Sequence, residues 1–558
     1  MPEPFAVVSV EEMRALEAAA IADGTPERVL QERAGLAVAD AIEEELGLEA
    51  PFSGPPRSSR HPGAARIAAV PGGRWSRSQA PRVLVLVGSG NNGRDAVVAG
   101  RRLAARGCSV WLWLGTRHAL TDAELRDLAA EGVPIERFSG EDRLDALSHA
   151  VRGCDVVVDG LLGVASHGPL RPEYAEVART VNTVCEAPGG PLVVAVDVPS
   201  GIGSNDGSTP GLVVRADVTV TFGAVKSGLL RFPAASYVGR LVMKSIGLPA
   251  RSAGRYPVHV LNEALVAPLV PPRPLDAHKY RLGRVLVVAG SDRFVGAACL
   301  GSEAAARAGA GLVGVVSTEA VKRVLATRLP EATYPLTLAG LDDRPEETAD
   351  RVAEILPEQA VLLLGPGIDR AESTDRFVRR LLTAKGSQQQ SVPAVIDADA
   401  LSLLAGWPGW WDRIGPGNVL TPHAGEMARL LASDPDLGEI EGEASWDTAR
   451  RAAARWRQVI VLKGPFTAVA ESGGRAWVYP RANPALATAG TGDVLAGLCA
   501  GLIAQGVSPR NAARQCVVVH ALAARRLVEK LGVRSLVASD LPAELPIVLS
   551  ALAADRHR

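Results

Sequence analysis

Short apolar runs alternate with helical segments along most of this 558-residue chain, and this alternation constrains the fold more than any other feature. Apolar runs that alternate with helices are typical of βαβ units, whose parallel strands are buried on both faces. Right-handed crossovers then place helices on both sides of the sheet. Two such series predict two three-layer α/β/α domains, the first of them Rossmann-like. The first series comprises 82–87, 109–114, 155–159, 191–198 and 216–222, and the second 284–290, 311–316, 360–365, 393–399, 418–422 and 459–464.

Two proline-rich segments interrupt this pattern. Residues 51–81 hold six prolines and no acidic residue, and such a composition buries too little apolar surface to offset its ordering entropy. We interpret 51–81 as a disordered insertion, with a basic binding arm as the alternative. Residues 248–276, which lie between the two series, also hold six prolines. We therefore predict a first domain over 1–250, a linker over 251–271 and a second domain over 272–558.

The composition excludes several classes of partner. The 60 basic and 61 acidic residues leave a formal net charge of -1, so we expect neither nucleic acid nor a membrane surface as partner. None of the six cysteines forms a C-x-x-C pair, which favours buried, reduced thiols and a reducing compartment. The N-terminus has no apolar signal segment, and the cytoplasm is the expected location. We also expect a homo-oligomer.

A glycine-rich loop, GSGNNGRD (88–95), follows the first strand and opens a helix. A dinucleotide-binding unit would carry an acidic residue at the end of its second strand, but that strand runs into Gly115, Thr116 and Arg117. The loop therefore predicts a ligand near a helix N-terminus, where the helix carries partial positive charge. The alternative is a tight turn in which Asn91 and Asn92 make local hydrogen bonds.

Three further strand ends in the first series carry polar residues. Asp159 ends one strand, Asp197 ends the next and runs into Pro199 and Ser200, and Lys226 follows the last. Because parallel strands end at one edge of the sheet, we expect these side chains to converge. Carboxylate, amide and hydroxyl oxygens suit an alkali or alkaline-earth cation better than zinc.

Together the motifs GSGNNGRD, VDGLLG, DVPSG and TFGAVKSG resemble the NAD(P)H-hydrate epimerase (YjeF N-terminal) family over about 88–229. The resemblance implies a potassium site formed by Asn92, Asp159 and Ser200. It also implies epimerisation at C6 of the hydrated nicotinamide ring. The implied substrate contacts are Asn91, Asn92, Gly93, Arg94, Asp95, Gly163, Val164, Ala165, Ser166, His167, Gly168, Pro169 and Asp197.

Asp95 and Asp197 are the candidates for proton transfer in that reaction, and the sequence leaves open which of them acts. Arg94 and Ala96 replace two glycines of the family loop. Arg94 either narrows the pocket or points to solvent.

The second series carries a glycine-rich helix start, ATAGTGD (487–493). Gly490 and Gly492 expose backbone N–H groups there, which predicts a binding site for phosphoryl oxygens. Asp493 would then accept the proton of an attacking hydroxyl. The alternative is a glycine turn in which Asp493 only caps the helix.

A GTGD segment before a helix is the anion-hole and base signature of ribokinase-like folds. The wider set GPGI (365–368), DADAL (397–401), TPHAGEMARL (421–430) and LATAGTGDVLAGL (486–498) resembles the ADP-dependent NAD(P)H-hydrate dehydratase (YjeF C-terminal) family over nearly all of 272–554. The resemblance implies adenine-nucleotide contacts at Lys463, Gly464, Pro465, Phe466, Thr467 and Gly492, and contacts to the hydrate at Ala297, Gly367, His423 and Asp493.

The same resemblance implies the reaction. Asp493 would activate the C6 hydroxyl of the S-hydrate (NADHX or NADPHX) to attack the terminal phosphate of ADP, with Mg²⁺ on the phosphates. Loss of the new phosphate would then regenerate NADH or NADPH. His423 is either a substrate contact or a packed loop residue.

Two other functional hypotheses remain open at this stage. One is a ribokinase-like small-molecule kinase that releases a stable phosphoester, and the other is a binding protein whose first domain is a non-catalytic scaffold. Glu331, Asp397 and Asp399 are further carboxylates at strand or loop ends, for which both a functional and a purely structural role stand.

Overall fold

The computed structural model describes residues 5–48, 80–137, 143–166, 168–248, 255–338, 344–356, 360–386, 392–438, 440 and 442–555. Contacts within the chain divide it into two compact units, Phe5–Tyr256 and Pro257–Arg558. Most of the predicted insertion at 51–81 lies outside the described residues.

The first unit is built on one parallel sheet. Its strands are β1 Val7–Val8, β2 Arg82–Val87, β3 Ser109–Leu114, β4 Ile135–Arg137, β5 Val156–Gly160, β6 Leu192–Val196, β7 Val218–Phe222, β8 Val225–Lys226 and β9 Arg240–Lys244. Its helices are α1 Val10–Ala22, α2 Glu27–Leu46, α3 Asn91–Ala105, α4 Asp122–Ala130, α5 Arg143–Gly153 and α6 Pro172–Cys185. Among the described residues the sheet order is β4-β3-β2-β5-β6-β7-β9, and β1 pairs with β8 separately.

Side-chain alternation along β2 explains the layers of this unit. Successive side chains of a strand point to opposite faces. Val83 and Val85 therefore belong to one apolar cluster, with residues of α2 and α3, while Leu84 and Leu86 belong to another, with residues of α5 and α6. Both faces of the sheet are covered by helices, which confirms the predicted three-layer arrangement.

The second unit repeats this plan with a longer sheet. Its strands are β10 Val258–Val260, β11 Arg284–Val288, β12 Leu312–Thr318, β13 Thr333–Leu338, β14 Ala360–Leu364, β15 Ala394–Ile396, β16 Val419–Leu420, β17 Val459–Leu462, β18 Ala468–Ala470 and β19 Ala476–Val478. Its helices are α7 Glu263–Val266, α8 Val295–Arg307, α9 Glu319–Arg328, α10 Pro345–Ile355, α11 Glu372–Gly386, α12 Asp399–Ala405, α13 Ala424–Ala432, α14 Ser445–Trp456, α15 Thr491–Ala504, α16 Pro509–Leu531 and α17 Leu541–Asp555.

In the described part of this unit the sheet order is β10-β19-β18-β17-β16-β15-β14-β11-β12-β13. Its neighbours are parallel except at β18, which is antiparallel to β17 and to β19. Val285 and Val287 pack with residues of α8, α15 and α16, and the opposite-facing Leu286 and Leu362 are equally buried. The predicted fold class, two α/β units with largely parallel sheets, is therefore confirmed.

Helix α15 packs closely against α8. A Cβ on Gly497 would overlap the carbonyl oxygen of Gly301, so this approach requires glycine at position 497. This contact fixes α15, and with it the glycine-rich turn at its start, against the body of the unit.

The predicted linker at 251–271 needs correction. Residues 251–254 lie outside the described chain, but Val258–Val260 forms β10 in parallel register with β19, and α7 follows. The segment from Pro257 onward therefore belongs to the second unit. Strand β10 has only three residues, which is too short for the apolar runs from which the other strands were predicted.

None of the helices in the described part of the chain combines the length and the apolar character that a membrane crossing requires.

Candidate active sites

A cavity of ≈ 710 Å³ lies in the first unit, where α3 begins after the glycine-rich loop. It is bordered by the carboxyl ends of the central strands and by α1 and α2. Most of the substrate contacts predicted in the first unit line it, namely Asn91, Asn92, Asp95, Gly163, Val164, Ala165, Ser166, Pro169 and Asp197.

Asp95 is a buried carboxylate of this cavity. It is the fifth residue of α3 and is 6% exposed. Its Oδ1 atom is buried and has no hydrogen-bond partner within the described part of the chain. Burial, and then the negative charges of Asp197 and Glu17, hold the pKa of Asp95 well above its usual value. This environment favours the protonated form of the carboxyl.

Asp197 has a different environment, because it is paired with a lysine. Lys226 Nζ, which is fully buried, lies 2.5 Å from Asp197 Oδ1. Thr221 Oγ1 donates to the same carboxylate oxygen at 2.9 Å. Asp197 has a φ of 62°, a strained backbone conformation for a residue other than glycine, and such strain is concentrated at functional sites.

Asp159 and Ser200 lie beneath the loop after β5. Asp159 is fully buried, and its two carboxylate oxygens accept from Ser200 Oγ at 2.7 Å and Ser200 N at 2.8 Å. Leu162 connects this pair to the helix start, because its N–H donates to Ser200 Oγ at 2.9 Å and its carbonyl accepts from Asn92 Nδ2 at 3.3 Å. Burial raises the pKa of Asp159. The three residues predicted as potassium ligands thus form one oxygen-rich cluster.

The structure contradicts the prediction that Arg94 contacts the substrate. Its guanidinium binds Glu124 Oε1 at 2.9 Å and the carbonyl of Ala119 at 2.7 Å, and it does not line the cavity. Ala96, the other departure from the family loop, is buried against Gly160. Both departures therefore leave the cavity open. Gly93 and Gly168 do not line it, and His167 lies outside the described residues.

In the second unit, Asp493 lies at the start of α15. Gly490 caps the helix with a φ of 89°, a left-handed conformation that favours glycine, and Asp493 is the third helical residue. Burial, and then the negative charge of Asp397, raise the pKa of Asp493 to about 7. A carboxyl with such a pKa changes its protonation state readily near neutral pH, as a general base requires.

Lys463 extends from the end of β17 toward this helix start. Its Nζ donates to Asp397 Oδ1 at 2.8 Å and lies 3.9 Å from Glu426 Oε2. A Cβ on Gly492 would lie 3.1 Å from the same Nζ, so the lysine charge and the glycine turn are adjacent. Thr421 Oγ1 donates to the same oxygen of Asp397 at 2.7 Å. Asp397, which the sequence left without a defined role, therefore orients Lys463.

The other predicted contacts of the second unit fall into three places. Gly367 lies beside Ala297, whose Cβ would be 3.0 Å from a Cβ at Gly367. His423 caps α13, where its Nδ1 accepts from Gly425 N at 3.0 Å, and its side chain is 55% exposed. The loop after Lys463 closes on itself, since Thr467 Oγ1 donates to the carbonyl of Gly464 at 3.1 Å. Pro465 is exposed and Phe466 partly buried in that loop.

Two of the additional carboxylates, Asp399 and Glu331, differ in their position relative to the site. Asp399 lies at the start of α12, 3.3 Å from Arg370 Nε, and its charge contributes to the raised pKa of Asp493. Glu331 is exposed and precedes β13, at the opposite end of the strands from the site. The structure therefore brings Asp399 near the site and leaves Glu331 away from it.

Sequence reasoning missed Glu17, which lines the first cavity from α1, and gave no role to Thr421 or Glu426. Thr421 and Glu426 lie within the quoted motif TPHAGE, and that motif was the available signal. Glu17 had no such signal, because its helix lies far from the motif loops in the sequence.

The fold and these two sites define a class: a chain of two α/β units, the second of which carries a glycine-rich helix start beside a lysine and a buried aspartate. The model of the family described as NAD(P)H-hydrate dehydratase matches residues 285–546. That of the YjeF-related protein N-terminus matches residues 27–228.

The chain is 36% identical to the bifunctional NAD(P)H-hydrate repair enzyme Nnr of Moorella thermoacetica, over 84% of this chain and 87% of that protein. It is 38% identical to the enzyme of the same name from Salinibacter ruber, again over 84% and 87%. The chain therefore belongs to the family of bifunctional NAD(P)H-hydrate repair enzymes. Both family resemblances and the enzyme class predicted from the sequence are thereby confirmed.

One similar solved structure is the ADP/ATP-dependent NAD(P)H-hydrate dehydratase from Bacillus subtilis, co-crystallised with ATP/Mg²⁺. It is 32% identical and covers 52% of this chain and 97% of that chain, with a TM-score of 0.44.

Proposed function

We propose that this chain repairs hydrated nicotinamide nucleotides in two steps. The first unit interconverts the R and S forms of NADHX and NADPHX, and the second dehydrates the S form to NADH or NADPH with ADP as phosphate donor. The observation that carries the proposal is the position of Asp493, which lies in the first turn of α15 beside Lys463 and a glycine-rich turn.

The dehydration follows from that position. Asp493 accepts the proton of the C6 hydroxyl, the hydroxyl oxygen attacks the terminal phosphorus of ADP, and AMP leaves. The C6–O bond then breaks with phosphate as the leaving group, and C5 loses a proton as the C5–C6 double bond forms. Phosphorylation thus replaces hydroxide, a poor leaving group, with phosphate.

Lys463 and the turn at Gly490–Gly492 support the charge on the transferred phosphate. Backbone N–H groups at a helix start and a nearby ammonium both stabilise phosphoryl oxygens. The loop Gly464–Thr467 is the proposed contact to the adenine nucleotide. Ala297 and Gly367 are proposed contacts to the hydrate. His423, exposed at the start of α13, contacts the hydrate in the same proposal.

Mg²⁺ fits this site as a nucleotide-borne ion. Within the described residues no group of three or more His, Cys, Asp and Glu is arranged to hold a metal. Mg²⁺ commonly keeps several waters and binds through substrate phosphates, where it would neutralise phosphate charge.

Inversion at C6 in the first unit needs a proton on the oxygen of the C6 hydroxyl. Asp95, whose raised pKa favours the acid form, is the proposed donor that lets the C6 hydroxyl leave as water. Asp197, paired with Lys226, places negative charge near the cation that remains on the ring.

A potassium ion fits the cluster of Asn92, Asp159 and Ser200, because a fully buried carboxylate there has neutral partners, Ser200 and the N–H of Leu161. Hard oxygen ligands suit such a cation. Replacing potassium with tetramethylammonium should slow epimerisation and lower the unfolding temperature of the first unit, while leaving dehydration unchanged. Homo-oligomerisation and a cytoplasmic location stay predictions.

The test is to incubate the protein with pure S-hydrate and ADP and to measure three products. Repair predicts equal amounts of dihydropyridine, AMP and phosphate. A kinase would instead accumulate a stable phosphoester without recovery of the dihydropyridine, and that result would overturn the proposal.

A further inference from the structure

Four carboxylates and three cationic side chains line the cavity of the first unit. They are Glu17, Glu27, Asp95, Asp197, Arg14, Arg171 and Lys226. Lys226 lies 2.5 Å from Asp197 and so compensates that carboxylate. The proposed reaction uses Asp95 as its acid, and of the two remaining carboxyls it is Glu17 whose charge acts on Asp95.

The packing of α1 determines where Glu17 points. A capping box between Ser9 and Glu12 fixes the start of this helix. Met13 and Leu16 pack into an apolar cluster of the unit. Glu17, the next residue, is partly buried and borders the cavity. Glu17 and the buried Asp95 therefore line the same cavity, and Glu17 is the more exposed of the two.

Inversion at a carbon that carries a hydroxyl creates a need for a second proton-handling group. One group gives a proton so that the hydroxyl leaves as water from one face. A water then adds from the opposite face and gives up a proton. Unless that proton returns to the first group, the next molecule finds the donor in its ionised form.

We propose that Glu17 exchanges this proton between Asp95 and solvent, and so returns Asp95 to its acid form after each inversion. The inference rests on the proposed epimerase function of the first unit. Glu17 acts through Asp95 and does not contact the reacting carbon.

The charges around Glu17 are consistent with this role. Burial raises the pKa of Glu17, and the carboxylates of Asp197 and Glu27 oppose its ionisation further, while Lys226 and Arg14 favour it. The negative charge of Glu17 in turn contributes to the raised pKa of Asp95. A raised pKa in both carboxyls favours the protonated form of each, so either group can carry the exchanged proton.

The test is the variant Glu17→Gln, assayed for R-to-S conversion across pH. Removing the negative charge lowers the pKa of Asp95, so the alkaline limb of the rate profile should move to lower pH. The rate at neutral pH should fall about tenfold, a small share of what a direct general acid contributes. Formate or acetate added to the buffer should restore much of that rate in a concentration-dependent manner, because a small carboxylic acid replaces the missing group.

Two further variants control for folding and for charge. Glu17→Asp keeps the charge and should keep the alkaline limb in place. Glu11→Gln removes a carboxylate from the exposed side of the same helix and should leave rate and profile unchanged.

A Glu17→Gln variant with an unmoved limb and no rescue by formate would overturn the inference, whatever its rate. If Glu17→Gln does not fold, Glu17→Asp provides the test. An alkaline limb that is displaced from its wild-type position in Glu17→Asp would overturn the inference. A wild-type chain that does not interconvert the hydrates would refute the epimerase function itself, which is a separate outcome.

Discussion

The two units place an aspartate in the same local setting but surround it differently. Asp95 and Asp493 each follow a glycine cap and lie in the first turns of a helix. Each lies near an aspartate–lysine pair, Asp197 with Lys226 in the first unit and Asp397 with Lys463 in the second. In both, burial and a neighbouring carboxylate raise the pKa of the helix aspartate.

The lysines differ, and that difference separates the two chemistries. The Lys226 side chain is completely buried, and its ammonium donates to Asp197, to Thr221 Oγ1 and to the carbonyl of Phe222. The Lys463 side chain is 19% exposed and lies against the glycine turn. In the proposed mechanism Lys463, which reaches the helix start, assists phosphate transfer, whereas the fully buried Lys226 only adjusts the charge of its cavity.

The largest expected effect is on dehydration. Asp493→Asn should lower the rate with S-hydrate and ADP by about 10²–10⁴-fold, the contribution of a well-placed general base. Nucleotide binding, measured by calorimetry, and R-to-S conversion should stay at wild-type values. Substantial dehydration by this variant would remove the role of Asp493 as base.

The second effect is on stability and contrasts the two lysines. Asp197→Asn leaves the sealed Lys226 without its carboxylate, which should lower the free energy of unfolding of the first unit by about 3–5 kcal/mol. Asp397→Asn should cost less, because Lys463 is partly exposed and also lies near Glu426. Urea unfolding of both variants measures the difference. Equal losses would show that the two pairs are not distinguished by burial.

The central strands of both sheets were predicted from sequence, and the edge strands were not. The missed strands β4, β9, β10 and β13 are the outermost strands of the two sheets. Edge strands are short or polar because one side faces no partner. The sequence of β4, IER, and the proline within β13 hide the apolar pattern on which the prediction depends.

The site residues that the sequence predicted also differ from those that it missed. Asp493, Lys463 and Asn92 each lie in a short motif at a strand end or a helix start, and within a parallel sheet such positions meet at one edge. Glu17 depends on how α1 packs, and the direction of Arg94 depends on Glu124 of α4. Such tertiary contacts leave no local pattern in the sequence.

A third effect, of moderate size, concerns pH. If Asp493 acts ionised, dehydration should rise with pH through about 7, where its carboxyl loses its proton. Asp397→Asn removes a neighbouring negative charge and should move this rise to lower pH. Lys463→Met removes a positive charge and should move it to higher pH, with weaker nucleotide binding. A profile that stays in place in both variants would contradict the electrostatic account.

The smallest effect is expected at Arg94. Its ion pair with Glu124 is about one-third exposed on both sides, and such pairs contribute roughly 0–1 kcal/mol. Arg94→Ala should therefore change stability by less than about 1 kcal/mol and leave the KM of epimerisation unchanged. A strong rise in that KM would place Arg94 back in the cavity.

The central claim is that each unit carries one of two separable reactions, driven by its own helix aspartate. The most direct measurement supplies pure R-hydrate with ADP and follows the absorbance of the dihydropyridine. Asp95→Asn and Asp493→Asn should each fail to recover it beyond the spontaneous rate, and an equimolar mixture of the two variants should recover it. Recovery by Asp493→Asn alone, or none by the mixture, would contradict the account.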